Sequence, residues 1–160
     1  MHTYFSEFNS DYICKHCRYF VSTLSVISGV IIRNHCPSCL HSRHVDLYRA
    51  GDRLCACKAL MAPIGLTLKQ SRDKYTHSQG GELMLVHRCI ACGALSINRI
   101  AADDDSVKLL GILETDISDD PALLQRCKKN GIRFLRKMDR PLVVTRLYGN
   151  ANKKTVKIAE

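Results

Sequence analysis

Eight of the nine cysteines in this 160-residue chain fall in four close pairs, and that spacing restricts the possible folds more than any other feature. Cys14-Lys15-His16-Cys17 and Cys36-Pro37-Ser38-Cys39 are Cys-x-x-Cys units with 18 residues between them. Cys55-Ala56-Cys57 follows, and Cys89-Ile90-Ala91-Cys92 lies beyond a further 31 residues. A Cys-x-x-Cys turn can aim two thiolates at one ion, and two such turns brought together make the closed tetrahedral shell of a structural zinc. Cys14, Cys17, Cys36 and Cys39 have that spacing and are expected to hold one Zn2+. Disulfides would require an oxidising compartment. The opening Met1-His2-Thr3-Tyr4-Phe5-Ser6-Glu7 has neither the basic stretch nor the apolar block of an export signal, so a cytoplasmic protein is expected. A redox role would call for a βαβ neighbourhood, whereas these pairs lie among strand-like segments. Cys127 stands apart and reads as a half-buried thiol on a helix.

The second ion needs more argument. Cys57, Cys89 and Cys92 supply three donors, and the fourth is Cys55, His87 or His44. A histidine beside a cysteine turn more often orients a ligand by hydrogen bonding than binds the ion itself. Thiolate chemistry therefore favours Cys55, and the expected set is Cys55, Cys57, Cys89 and Cys92, giving two Zn2+ per chain. Asn34-His35-Cys36-Pro37-Ser38-Cys39 and His87-Arg88-Cys89-Ile90-Ala91-Cys92 echo one another, each closing a segment that opened with a cysteine pair. Residues 20–32 and the runs Ile64–Leu68 and Glu82–His87 read as hairpin strands, the latter two around a polar tip containing Gly80-Gly81. The expected fold is a small zinc-stabilised α+β protein with two tandem zinc-ribbon-like β units. A short helical segment and a basic β-hairpin follow them. Ribbons of this size bury little apolar surface, so metal binding would supply most of their stability.

The run Ile32-Arg33-Asn34-His35-Cys36-Pro37-Ser38-Cys39-Leu40-His41-Ser42-Arg43-His44-Val45-Asp46 resembles the signature of the RNHCP domain. The resemblance continues through Gly51-Asp52-Arg53 and Cys57-Lys58-Ala59-Leu60-Met61-Ala62-Pro63-Ile64-Gly65. It resumes at Leu85-Val86-His87-Arg88-Cys89-Ile90-Ala91-Cys92-Gly93 and at Asn98-Arg99-Ile100-Ala101-Ala102-Asp103-Asp104, covering about residues 10–106. It implies a bacterial metal-binding domain without an established activity. The family pattern has one cysteine near Cys57, which makes Cys55 look like an extra one. It also commonly has Gly-Gly and Glu where this chain has Lys58, Ala59 and Ala62.

Asn34, His35, His44, Asp46, Arg99 and the Asp103–Asp105 run invite a second reading. His44, Asp46 and Asp103 could build a metal-assisted hydrolase if the fold gathers them. The plainer reading ties them to structure: Asn34 and His35 anchor the cysteine turn, Arg33 and Arg99 pair with Asp46 and Asp52, and Asp103–Asp105 cap a helix running from Ser106 or Val107.

Apolar residues make up 46% of the chain and charged residues 24%, which excludes disorder throughout. The net charge of +9 is uneven: residues 1–120 hold 13 basic and 13 acidic side chains, and residues 121–160 hold 11 basic and 2 acidic. Asp120 and Pro121 start a helix that Lys128-Lys129-Asn130-Gly131 ends. Leu142–Leu147 and Thr155–Ile158 read as strands of the basic hairpin. The expected division is a double-ribbon unit over 1–106 and a helical and basic segment over 107–160. Arg133, Arg136, Lys137 and Arg140 are the candidate phosphate contacts, since phosphate recognition needs Lys and Arg and little else. The resulting expectation is a non-catalytic zinc module that binds RNA, ribosomal RNA or DNA; the alternative is a protein-interaction adaptor. No apolar run is long enough for a membrane span.

Overall fold

The computed structural model describes residues 10–70, 81–115 and 120–149. Its order is β1 (Tyr12–Ile13), β2 (Phe20–Val21), a single turn of helix α1 (Ser25–Ser28), β3 (Ser42–Arg43), β4 (Leu60–Lys69), β5 (Glu82–Cys89), β6 (Leu95–Arg99), α2 (Ser106–Glu114), α3 (Pro121–Lys129) and α4 (Arg140–Tyr148). A 3-10 turn over Lys137–Asp139 leads into α4. β1 and β2 form a two-stranded antiparallel sheet, and β3-β4-β5-β6 a four-stranded meander, antiparallel throughout. The chain is therefore α+β.

β5 is the central strand, and its sequence explains why. Leu83 and Leu85 point to one face and Met84 and Val86 to the other, all buried, as a strand covered on both sides requires. On one face Leu66, Leu83 and Leu85 pack with Leu40, with Leu109 and Leu113 of α2 and with Val143 of α4. On the other, Val86 packs with Leu123 and Cys127 of α3 and with Phe134. Each fully buried Leu or Val contributes about 1.5–3 kcal/mol. Cys127 is a helical thiol as expected, but fully rather than half buried. Both of these clusters include residues from beyond 106, so the helices lie on the sheet whose strand β5 leads into the Cys89–Cys92 turn.

Phe134 reaches the sheet at Gly65, where a Cβ would stand 2.4 Å from its ring. Leu135 N–H donates to the Leu66 carbonyl at 2.8 Å, and the Thr67 hydroxyl to the Arg133 carbonyl at 2.7 Å, which fixes this segment across β4. The register slips between Pro63 and Gly65, leaving Ile64 as the extra residue of a bulge. A proline with no N–H to give the ladder is at home beside one.

The helix caps follow the sequence. The Asp105 carboxylate accepts from Val107 N–H and Lys108 N–H, and the Asp120 carboxylate accepts from Leu123 N–H ahead of Pro121. The basic hairpin does not follow it. Leu142–Leu147 lies inside helix α4, and Thr155–Ile158 lies outside the described residues. Pro141 in the first turn and Val143 buried one turn before the half-buried Leu147 outweigh the β-branched Val143-Val144-Thr145. The first segment also departs from a plain hairpin, since α1 fills part of residues 20–32.

Candidate metal centres

Three cysteine turns share one backbone pattern. The N–H four residues after the first cysteine donates back to its carbonyl: Arg18 to Cys14 at 3.0 Å, Leu40 to Cys36 at 2.8 Å, Gly93 to Cys89 at 3.0 Å. The first cysteine's own N–H donates five residues ahead, Cys14 to Tyr19, Cys36 to His41 and Cys89 to Ala94, at 2.8–2.9 Å. The residue after the second cysteine is left-handed each time: Arg18, Leu40 and Gly93 have φ of 66°, 62° and 72°. Only Gly93 adopts that conformation without a Cβ penalty; at Arg18 and Leu40 the turn imposes it. The echo between residues 34–39 and 87–92 is thus a structural repeat that also includes the first pair.

The turns bring together two sets of donors. Cys14, Cys17, Cys36 and Cys39 present their sulfurs within 4.8 Å of one another. Cys14 and Cys39 are 3.5 Å apart, and Cys17 and Cys36 3.6 Å. His44, Cys57, Cys89 and Cys92 form the second set, with Cys57 3.7 Å from Cys89 and 4.0 Å from Cys92. Metal–sulfur bonds of about 2.3 Å in a tetrahedron place sulfurs roughly 3.8 Å apart, so both sets have dimensions compatible with zinc.

The fourth donor of the second set is His44, in place of the expected Cys55. Its Nδ1 lies 3.3 Å from the Cys92 sulfur. The reason is the β3–β4 ladder, which continues past the end of the short β3: His44 N–H donates to the Ala59 carbonyl and Lys58 N–H to that of His44. This sets His44 opposite residues 58 and 59, beside Cys57. Cys55 is buried outside the set, its N–H bonded to the Val45 carbonyl at 2.9 Å. His87 is also no ligand candidate: it is fully buried, donates from Nε2 to the Leu40 carbonyl at 2.7 Å and accepts at Nδ1 from Asn98 at 2.9 Å. Burial pushes its pKa down to about 3, with His35 acting in the same direction.

Within each set the thiols oppose one another. Burial raises the Cys17 thiol, but hydrogen bonds from the Tyr19 N–H and the neighbouring sulfurs outweigh it and bring it to about 7. Burial pushes Cys36 up to about 11 and Cys39 higher still. In the second set burial again opposes ionisation, yet the Cys92 and Ala91 N–H groups bring Cys89 down to about 6. Cys57 is raised: its bond from the Ala59 N–H is outweighed by burial and by Cys89 and Cys92. A cation can bring all of these donors to their anionic form together. His16 and His41 stack beside Cys39, ring centroids 3.6 Å apart and planes within 8°. One ion cannot lie in both ring planes, so the stacked pair and Cys39 do not make a third ion site.

The candidate polar side chains beside the second cysteine turn make ion pairs and hydrogen bonds. Arg33, with its side chain fully buried, meets Asp103 at 2.8 Å and Asp104 at 3.2 Å and donates from Nε to the His35 carbonyl. His35 Nε2 donates to Asp104 at 2.7 Å, and the same carboxylate accepts from Ala101 N–H. Asp46 accepts from the Gly51 and Arg53 N–H groups and from the Asn34 side chain, tying loop 46–53 to the second cysteine turn. The expected pairing of Arg33 and Arg99 with Asp46 and Asp52 is replaced: Arg99 meets Glu82, and Asp52 accepts the N–H groups of Leu47, Tyr48, Arg49 and Leu54. His44, Asp46 and Asp103, named for the hydrolase alternative, form no common donor group among the described residues. Arg133, Arg136 and Lys137, between α3 and α4, and Arg140, the first residue of α4, are all exposed; Lys137 and Arg140 meet Glu114 at 3.9 and 3.0 Å.

No helix among the described residues is long and apolar enough to cross a membrane. Residues 9–110 match the family model of the RNHCP domain. No curated protein and no solved structure matches the chain.

Proposed function

Since the chain belongs to the RNHCP domain family, we propose that it is a zinc-stabilised binding module that contacts nucleic acid and performs no chemistry of its own. Both donor sets hold Zn2+ in this reading. Each offers four protein ligands, the closed shell of a structural ion, whereas a catalytic zinc keeps one position open. The single observation behind nucleic acid is the exposed cationic surface of α3, α4 and their connection. Arg126, Lys128, Lys129, Arg133, Arg136, Lys137, Arg140 and Arg146 are all exposed there, against Asp139 and the neighbouring Glu114. Such a surface suits phosphate backbones and carries no base preference of its own. Helices, rather than the expected β-hairpin, present it.

The test is affinity for duplex DNA and structured RNA as a function of salt. Charge reversal at Arg133 and Arg136 should weaken binding on unrelated sequences and lower the slope of log affinity against log salt by about one unit per lost contact. Absence of binding by the full zinc-loaded chain at low salt would reject the reading. One observation favours the adaptor alternative. Tyr19, Phe20, Leu24, Val26, Ile27 and Ile31, around the first cysteine turn, are exposed among the described residues. A protein partner held by that apolar surface would stay bound as salt rises.

A further inference from the structure

A cleft of about 360 Å³ opens between β1, at Tyr12, and the end of β3, at Arg43 and Val45. Tyr12, Arg33, Asn34, Arg43, Arg53 and Lys58 line it, and no carboxylate lines it among the described residues. Two of the four cations are already compensated: Arg33 by Asp103 and Asp104, and Arg53 by Asp46. The other two are not. Arg43 and Lys58 make no ion pair among the described residues, and the Lys58 ammonium reaches only the Arg53 carbonyl, at 3.4 Å. Arg43 Nε and the Tyr12 hydroxyl are both buried and have no hydrogen-bond partner among the described residues.

Buried N–H and O–H groups are almost always satisfied, and when two that are not line one cleft they point to an acceptor the protein alone does not supply. Two uncompensated cations set the charge of that acceptor, and three donor side chains set its oxygen count. A guanidinium fork and an ammonium together suit a phosphoryl group. Compensation of a metal–thiolate centre would account for the positive charge. It would leave the Tyr12 hydroxyl and Arg43 Nε without partners. The volume lies at the small end of ligand pockets, which run from about 300 to 1,000 Å³, enough for a phosphoryl group with a small organic part.

We propose that this cleft is a phosphoryl-binding site, with Tyr12, Arg43 and Lys58 as its donors and Asn34 and Arg53 forming its wall. It uses none of the cations of α3 and α4 and stands or falls separately from the nucleic-acid reading.

The experiment titrates the full zinc-loaded chain with inorganic phosphate at constant ionic strength, by calorimetry. One saturable site per chain is expected. Arg43→Met and Lys58→Met should each weaken it roughly tenfold, and Tyr12→Phe by several-fold, with zinc content and melting temperature unchanged. If Arg43→Met fails to fold, Tyr12→Phe and Lys58→Met decide, since one removes a single oxygen and the other an exposed ammonium. A dinucleotide with a 5′-phosphate, compared with its 5′-hydroxyl form, assigns the source. Preference for the phosphorylated form over inorganic phosphate indicates a nucleotide or strand end, and equal affinity indicates free phosphate. Absence of saturable phosphate binding, or binding unmoved by Tyr12→Phe and Lys58→Met, overturns the proposal.

Discussion

His44 Nδ1 lies 3.3 Å from the Cys92 sulfur although 48 residues separate them along the chain. With Cys57 and Cys89 this makes a set of one imidazole and three thiolates. Freshly purified protein should contain two zinc ions per chain by elemental analysis. His44→Ala should lose one of them, as Cys57→Ser does, whereas Cys55→Ser should keep both. One zinc in the parent protein, or loss of zinc from Cys55→Ser alone, would reject this donor set.

The buried Arg33 joins the second cysteine turn to the start of α2 through Asp103 and Asp104. Arg33→Met would leave Asp104, itself fully buried, short of its cation, at a cost of about 3–5 kcal/mol in urea unfolding. Arg33→Lys should rescue only part of this, because an ammonium cannot span both carboxylates as the guanidinium fork does. An unfolding midpoint equal to the parent's would count against the network.

Asp52 makes a pH-dependent loop. Bonds from the Leu47 N–H, and from those of Tyr48, Arg49 and Leu54, hold its carboxyl well below the usual 3.8 despite an opposing contribution from desolvation. A carboxyl lowered by folding favours the ordered loop fully above its unfolded pKa and loses that effect as pH falls through the folded one. The amide shifts of Leu47, Tyr48, Arg49 and Leu54 should therefore move together below about pH 4. Asp52→Asn should show the moved shifts already at neutral pH.

Gly65 and Phe134 test the packing of the helical segment on the sheet. An added Cβ would meet the ring at 2.4 Å, so Gly65→Ala should cost about 1–3 kcal/mol of stability. Phe134→Leu should be less damaging in the Gly65→Ala background than in the parent. Strict additivity of the two changes would show that they do not share a space.

What was legible in the sequence was local. The cysteine turns, the Asp105 and Asp120 caps, and strands β4 and β5 each depend on residues within a few positions of one another. What was missed depends on distant pairing. His44 competes with Cys55 only once β3 is aligned with β4, and a thiolate looks the better donor until that register is known. Arg33 finds Asp103 across 70 residues, where the sequence offered the nearer Asp46 and Asp52. Residues 142–147 have a strand's composition, and the burial of Val143 against Leu66 and Leu85 gives them a helix.

The two donor sets occupy successive, non-overlapping stretches of chain, 14–39 and 44–92. Closing the first requires bridging 25 residues and nothing made later, and the shorter loop has the smaller closure entropy. A chain emerging from its N-terminus can therefore capture its first ion before Cys92 has been synthesised. The second site needs Cys89 and Cys92, and the Arg33–Asp103 bridge needs a residue made later still. A chain starved of zinc should therefore stall with its first site filled and its second open.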